Sequence, residues 1–201
     1  MRVILASKSP RRREILSSLG ISFEVITPDV EEKVRTTHPM AMASQLALTK
    51  ALAVKDRLAQ QGAWDEQTLI IAADTIVVKG DAVLGKPRDA EDAKRMLRLL
   101  SDTEHEVMSG IALVLGSTIL SATDCTKVSF AEMSEEQIDW YVASGEPMDK
   151  AGAYAVQGLA SMWINGLHGC YFNVVGLPVR RMQALLSEGL GMDMKELCRQ
   201  G

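Results

Sequence analysis

Apolar runs of strand length alternate with helically spaced ones along this chain. The pattern places it in the α/β class, and three stretches carry the assignment. Arg2 to Ala6 is a strand-length apolar run that breaks into Ser7, Lys8 and Ser9 before Pro10, a residue suited to the first position of a helix. From Pro39 to about Gln61, the residues Met42, Leu46, Leu48, Ala51, Leu52, Val54 and Leu58 keep helical spacing and predict a long amphipathic helix. Leu69 to Val78 is the most strongly apolar strand of the sequence and is expected in the middle of the sheet.

The remaining elements follow in chain order. Pro10 to about Leu19 reads as the first helix, with Ile15, Leu16 and Leu19 inward and Gly20 as its stop. Ser9 is placed to cap it through its hydroxyl. Ile21 to Ile26 predicts a short strand, and Asp29, Glu31 and Glu32 then put three carboxylates on a loop. A short strand ends at Leu84, and Asp89 to Leu100 is helical. His105 to Leu115 and Thr118 to Phe130 predict two long strands joined in a hairpin at Gly116-Ser117. Ser134 opens another helix with Glu136 and Gln137 behind it. Met162 to Leu167 and Cys170 to Val174 predict a last strand pair, and Gly176-Leu177-Pro178 leads into a helix through Leu186.

Composition narrows the function. The 201 residues suffice for one domain with a substantial core, or for two lobes around a cleft, and 47% hydrophobic residues excludes disorder. We take 1–201 as a single domain. A net charge of −4 argues against a general nucleic-acid binder, and 4% aromatic residues leaves little for stacking on single strands. No apolar run approaches a membrane span of roughly twenty residues, and the start lacks a signal-peptide pattern, so the expected location is cytoplasmic. Three scattered cysteines, Cys125, Cys170 and Cys198, read as inert thiols.

Several residues bear on chemistry. Ser7, Ser9, Arg11, Arg12 and Arg13 surround the start of the first helix, where backbone N–H groups and the helix dipole favour an anion such as phosphate. Asp74 stands among branched aliphatics, where a carboxylate must pair with a cation or open on a cleft. Lys50 interrupts the apolar middle of its helix. Gly85-Lys86-Pro87 is not a Walker A loop, yet Lys86 remains a point charge for phosphate. The acids of the 29–32 loop are either solvated charge or ligands for a hard divalent cation. His105, with no partner at ligand spacing, reads as structural. Glu146 to Gly158 has neither helical nor strand period; it is either a substrate-lining loop or a structural Ω-loop in which Asp149 pairs with Lys150.

Taken together, Leu5-Ala-Ser-Lys-Ser-Pro-Arg-Arg-Arg-Glu-Ile-Leu, Ala73-Asp74-Thr75, Gly85-Lys86-Pro87, Glu146-Pro-Met-Asp-Lys-Ala-Gly-Ala-Tyr154, Gln157-Gly158 and Asn173-Val-Val-Gly-Leu-Pro178 closely resemble the Maf-like nucleotide pyrophosphatases. The resemblance implies an α/β fold related to the inosine triphosphate pyrophosphatases: an elongated, bent mixed sheet flanked by helices, two lobes around a cleft, and often a homodimer. It also implies hydrolysis of a nucleoside triphosphate to the monophosphate and pyrophosphate with a divalent metal such as Mg2+, Mn2+ or Co2+.

Carried onto this sequence, the resemblance puts Ser7, Ser9, Arg12, Lys50 and Lys86 around the triphosphate and makes Asp74 the general base and a metal ligand. Glu32 matches a family acid for metal or water, with Glu31 and Asp29 as rivals. Arg11, Thr75 and Gln157 match the branch that resembles dTTP and UTP hydrolases, whereas the 7-methyl-GTP branch carries Trp and Glu at the first and last of these places. Modified pyrimidine nucleotides are further candidates. A non-catalytic nucleotide-binding regulator of septum formation is the rival from a different class.

Overall fold

The structure is a computed structural model that describes residues 1–30 and 36–198. The chain divides into two compact units. The first takes Met1–Asp74, Ser109–Asp124 and the chain from Gly176 on; the second takes Thr75–Met108 and Cys125–Val175.

In the first unit, the apolar run Arg2–Ala6 forms β1, buried from Val3 onward. It pairs in parallel with β3, defined below, and with β2, the two-residue strand Glu24–Val25. The strand expected over 21–26 is therefore much shorter. Ile21 is buried, but its N–H closes the end of α1 (Pro10–Ser18) by donating to the Leu16 carbonyl at 3.2 Å, so it is spent before a strand can begin. Both residues of β2 are exposed, and Glu24 is held by the Arg2 guanidinium at 2.7 Å.

Helix α2 (Pro39–Gln60) sets Ala47, Ala51, Val54 and Leu58 against Ile4, Ile70 and Val114. Its approach to the sheet is close. A Cβ added to Gly110 of β5 (Glu104–Leu115) would lie 2.0 Å from the Ala43 carbonyl oxygen, so only glycine lets helix backbone meet strand backbone there. Lys50 follows Ala43 by two turns, on the same helix face, which turns it toward the sheet.

Strand β3 (Thr68–Lys79) is buried along nearly its whole length, as its apolar sequence predicts. In the second unit its end pairs antiparallel with β4 (Ala82–Leu84), from Val77↔Leu84 to Lys79↔Ala82. Helix α3 (Ala90–Leu100) is capped by the Asp89 carboxylate, which accepts the Asp92 N–H at 2.8 Å. The hairpin forms as expected from β5 and β6 (Thr118–Phe130), and α4 (Glu135–Ala143) opens with a reciprocal capping box between Ser134 and Gln137. Leu97, Phe130, Tyr141, Tyr154 and Trp163 belong to the core of this unit.

β7 (Ile164–His168) pairs antiparallel with β6. The second strand expected here, Cys170 to Val174, is instead helix α5 (Tyr171–Val175). The Thr126 hydroxyl explains the change. It donates to the Cys170 carbonyl at 3.1 Å and accepts the Cys170 N–H and the Asn173 amide, each at 3.0 Å, which is the full capacity of a hydroxyl. Asn173 also donates to the Val107 carbonyl at 2.9 Å, so side chains satisfy the groups a partner strand would have taken. The strands follow the hydrogen-bonding order β2-β1-β3-β5-β6-β7, with β4 on β3, and parallel and antiparallel pairs make the sheet mixed. The chain closes with α6 (Val179–Ala184), a wide turn over Leu185–Gly189 and α7 (Met194–Cys198).

Candidate active site

The turn after β1 differs from its expected form in one respect. Ser9 occupies the N-cap position of α1 in an extended conformation, but its hydroxyl makes no capping bond. Instead the N–H of Ser9 itself donates to the buried Ser7 hydroxyl at 3.1 Å, and that hydroxyl also accepts Nη1 of Arg12 at 3.2 Å. Arg12 is further tied by Nε to the Gly176 carbonyl at 2.7 Å. Two fixed bonds on one guanidinium set its plane, which is how an arginine is prepared for an oxyanion. Arg11 is half-buried beside it, and Arg13 is exposed.

β1 and β3 are paired in parallel through Ala6↔Ala72, so Ser7 and Asp74 both lie just beyond the carboxyl end of the paired stretch. That end of parallel strands is where α/β sheets place their ligands. Asp74 is 9% exposed and forms an ion pair through Oδ1 with Nζ of Lys50. The lysine that interrupts the apolar face of α2 and the acid that interrupts the apolar run of β3 are thus one feature. Each charge was unaccountable on its own element, and each neutralises the other.

In the second unit, Thr75 continues β3 and is half-buried, while Lys86 is exposed in the turn after β4. That turn is fastened by the Gly152 N–H, which donates to the Gly85 carbonyl at 3.0 Å. The Glu146 to Gly158 segment is more structural than a bare substrate loop. Lys150 donates to Asp149 at 2.5 Å and to the Glu146 carbonyl at 2.6 Å, Tyr154 is buried, and exposure is confined to Asp149 and the end of the segment, Gln157 and Gly158.

His105 is structural, as expected. Its Nε2 lies 2.7 Å from the Tyr154 hydroxyl, and its ring meets Phe130 and Tyr154 edge-on. Burial, with the positive Lys79 nearby, pushes its pKa down to about 4. Glu31 and Glu32 lie outside the described residues, and Asp29 is exposed. Among the described residues no group of three or more His, Cys, Asp or Glu gathers to hold a metal. Glu146 stood in the sequence only as the first residue of a family motif, with no role of its own; its carboxylate accepts from Tyr141 and Leu159, five and thirteen residues away.

Fold comparison defines the class first. The structure resembles "The structure of the Staphylococcus aureus Ham1 protein" with a TM-score of 0.51 at 14% identity, covering 94% of this chain and 100% of that one, so the two share a mixed α/β fold. The chain belongs to the Maf-like protein family, whose match spans residues 2–189. Relatives include the "dTTP/UTP pyrophosphatase" of Symbiobacterium thermophilum, 48% identical over 92% of this chain and 93% of that protein. The protein of the same name from Aquifex aeolicus is 44% identical over 94% of this chain and 95% of its own. Among the described residues no helix is long and apolar enough to cross a membrane.

Proposed function

We propose that this protein hydrolyses dTTP and UTP between the α and β phosphates, giving the nucleoside monophosphate and pyrophosphate, with 1–201 acting as one catalytic domain. The observation that carries the reading is the nearly buried Lys50–Asp74 pair at the carboxyl end of the β1–β3 pair, in a chain 44% to 48% identical to proteins bearing that activity in their names. Asp74 acts as general base. It takes a proton from the water that attacks the α-phosphorus as the bond from that phosphorus to the bridging oxygen breaks and pyrophosphate leaves with the electron pair. Lys50 holds the carboxylate in place before the substrate arrives. Arg12, oriented by Ser7 and Gly176, meets phosphate oxygens together with the hydroxyls of Ser7 and Ser9. Lys86 adds a further positive charge.

A hard divalent ion that travels with a triphosphate needs only one or two protein carboxylates, because phosphate oxygens and waters complete its shell. Asp74 has an oxygen outside its bond to Lys50, so the donor set fits Mg2+, Mn2+ or Co2+ with Asp74 as a ligand and Glu32, from the family resemblance, as a second. When bound, such an ion supplies charge neutralisation on phosphate oxygens.

Arg11, Thr75 and Gln157 select the base. The Gln157 amide offers a donor and an acceptor to the matching edge of a neutral pyrimidine, and its side chain is exposed for that task. The same chemistry extends to 5-modified pyrimidine nucleotides, and the working form is a homodimer in the cytoplasm.

The test is a divalent-dependent assay of pyrophosphate release from dTTP, UTP, CTP and 7-methyl-GTP. Release from dTTP and UTP, reduced about 100-fold or more in Asp74→Asn, is the expected result. A preference for 7-methyl-GTP overturns the base assignment. Nucleotide binding without turnover points instead to a regulatory protein such as one restraining septum formation.

A further inference from the structure

The exposed Gln157 can read a base only if its backbone is held, and the segment around it has no regular structure from Ala155 to Gly158. The hold comes from Glu146. Oε2 of its carboxylate accepts the Leu159 N–H at 3.1 Å, and Oε1 accepts the hydroxyl of the fully buried Tyr141 at 2.9 Å. Its own backbone is tied on both sides, by Ser144, which accepts the Glu146 N–H at 3.2 Å, and by Lys150, which donates to its carbonyl at 2.6 Å. Between Gln157 and Leu159, Gly158 adopts φ +118, a conformation open in practice only to glycine. A Cβ there would lie 2.7 to 2.9 Å from the carboxylate of Glu146. The carboxylate is therefore packed directly on the Gly158 backbone, and the absent side chain is what lets it reach Leu159. This bond between residues thirteen positions apart closes a loop whose end presents Gln157.

We propose that Glu146 is a positioning residue for base recognition: through Tyr141 on one side and the Gly158–Leu159 backbone on the other, it fixes the place from which Gln157 meets the pyrimidine. The inference rests on the reading of Gln157 as a base-selecting residue and assigns a role that Gln157 cannot fill alone. Glu146 itself touches no substrate. Its effect is confined to the base and travels through one side chain, which separates it from a general loss of structure.

The experiment is a double-mutant cycle on the full-length protein, with Glu146→Ala, Gln157→Ala and the double variant. Three readouts are taken: KM and kcat for UTP, and the inhibition constant of inorganic tripolyphosphate, which carries phosphates but no base. Glu146→Ala is expected to raise KM for UTP about tenfold, with a smaller change in kcat, and to leave tripolyphosphate inhibition within about twofold of wild type. In the Gln157→Ala background the same substitution should add almost nothing, because its route to the base is gone. Glu146→Gln keeps an acceptor for one of the two donors and should restore most of the loss. Where Glu146→Ala does not fold, Tyr141→Phe removes the hydroxyl anchor while keeping the buried ring, and should show the same split at smaller amplitude.

A KM for UTP unchanged in Glu146→Ala or Tyr141→Phe while Gln157→Ala raises it overturns the inference. Equal effects of Glu146→Ala in both backgrounds, or a parallel loss of tripolyphosphate inhibition, also overturn it. A wild-type protein that releases no pyrophosphate from dTTP or UTP, or a Gln157→Ala protein with unchanged KM, overturns the underlying reading and this inference with it.

Discussion

Removing one partner of the Lys50–Asp74 pair should destabilise the protein far more than removing both. The side chains are 13% and 12% exposed, so neither charge is fully hydrated in the folded state. Stripping one partner from a fully buried pair costs about 3–5 kcal/mol, and the residual water access here lowers that to about 2–3 kcal/mol. Lys50→Met takes the Lys50 ammonium group from the Asp74 carboxylate, and Asp74→Asn takes the Asp74 charge from Lys50. For a chain of this size that loss corresponds to a fall in Tm of about 5–10 °C. The double variant Lys50→Met/Asp74→Asn leaves an amide and a thioether and recovers most of the loss, to about 1 kcal/mol, giving a coupling energy of about 3–5 kcal/mol. Urea denaturation of the four proteins, followed by circular dichroism at a fixed slope, measures it. Single losses that simply add in the double variant, to within about 0.5 kcal/mol, would refute the pairing as an energetic unit.

Two further predictions rest on other parts of the structure. Arg12→Lys keeps the charge but cannot make both the Ser7 and Gly176 bonds in one plane, so KM for dTTP should rise about tenfold or more; kinetics equal to wild type would show that only the charge matters. His105 makes stability depend on pH. Its folded pKa is held at about 4 against an ordinary 6.5, so between these values the unfolded chain binds a proton that the folded chain refuses. The stability present above pH 6.5 is thus lost as the pH falls toward 4. From pH 7 to 4.5 the loss from this residue is about 2 kcal/mol. His105→Gln should be less stable at pH 7 yet show a flatter decline, and a decline as steep as wild type would exclude the histidine as its source.

How much of this was legible in the sequence varies with how far each feature reaches. β1, α2, β3, the hairpin at Gly116-Ser117 and the capping box of α4 depend on neighbours within a few residues, and hydrophobic period and turn chemistry record such dependence directly. Two charges that broke an apolar pattern, Lys50 and Asp74, were visible as exceptions, and the family motifs drew them toward one site. Their pairing was not visible, because 24 residues separate them and only the close packing of α2 on Gly110 turns the lysine inward.

The missed elements share that cause. Cys170 to Val174 has strand composition, yet Thr126, 44 residues earlier, takes the backbone bonds of Cys170 and leaves the chain to turn into a helix. The cap expected from the Ser9 hydroxyl is not made; the Ser9 N–H donates instead to Ser7, which also orients Arg12. Residue order alone determined the α/β class, most elements and the family, since these follow from local periodicity and short motifs. Tertiary structure decided which polar group satisfies which, because a buried donor or acceptor takes the partner that packing brings to it, whatever the distance along the chain.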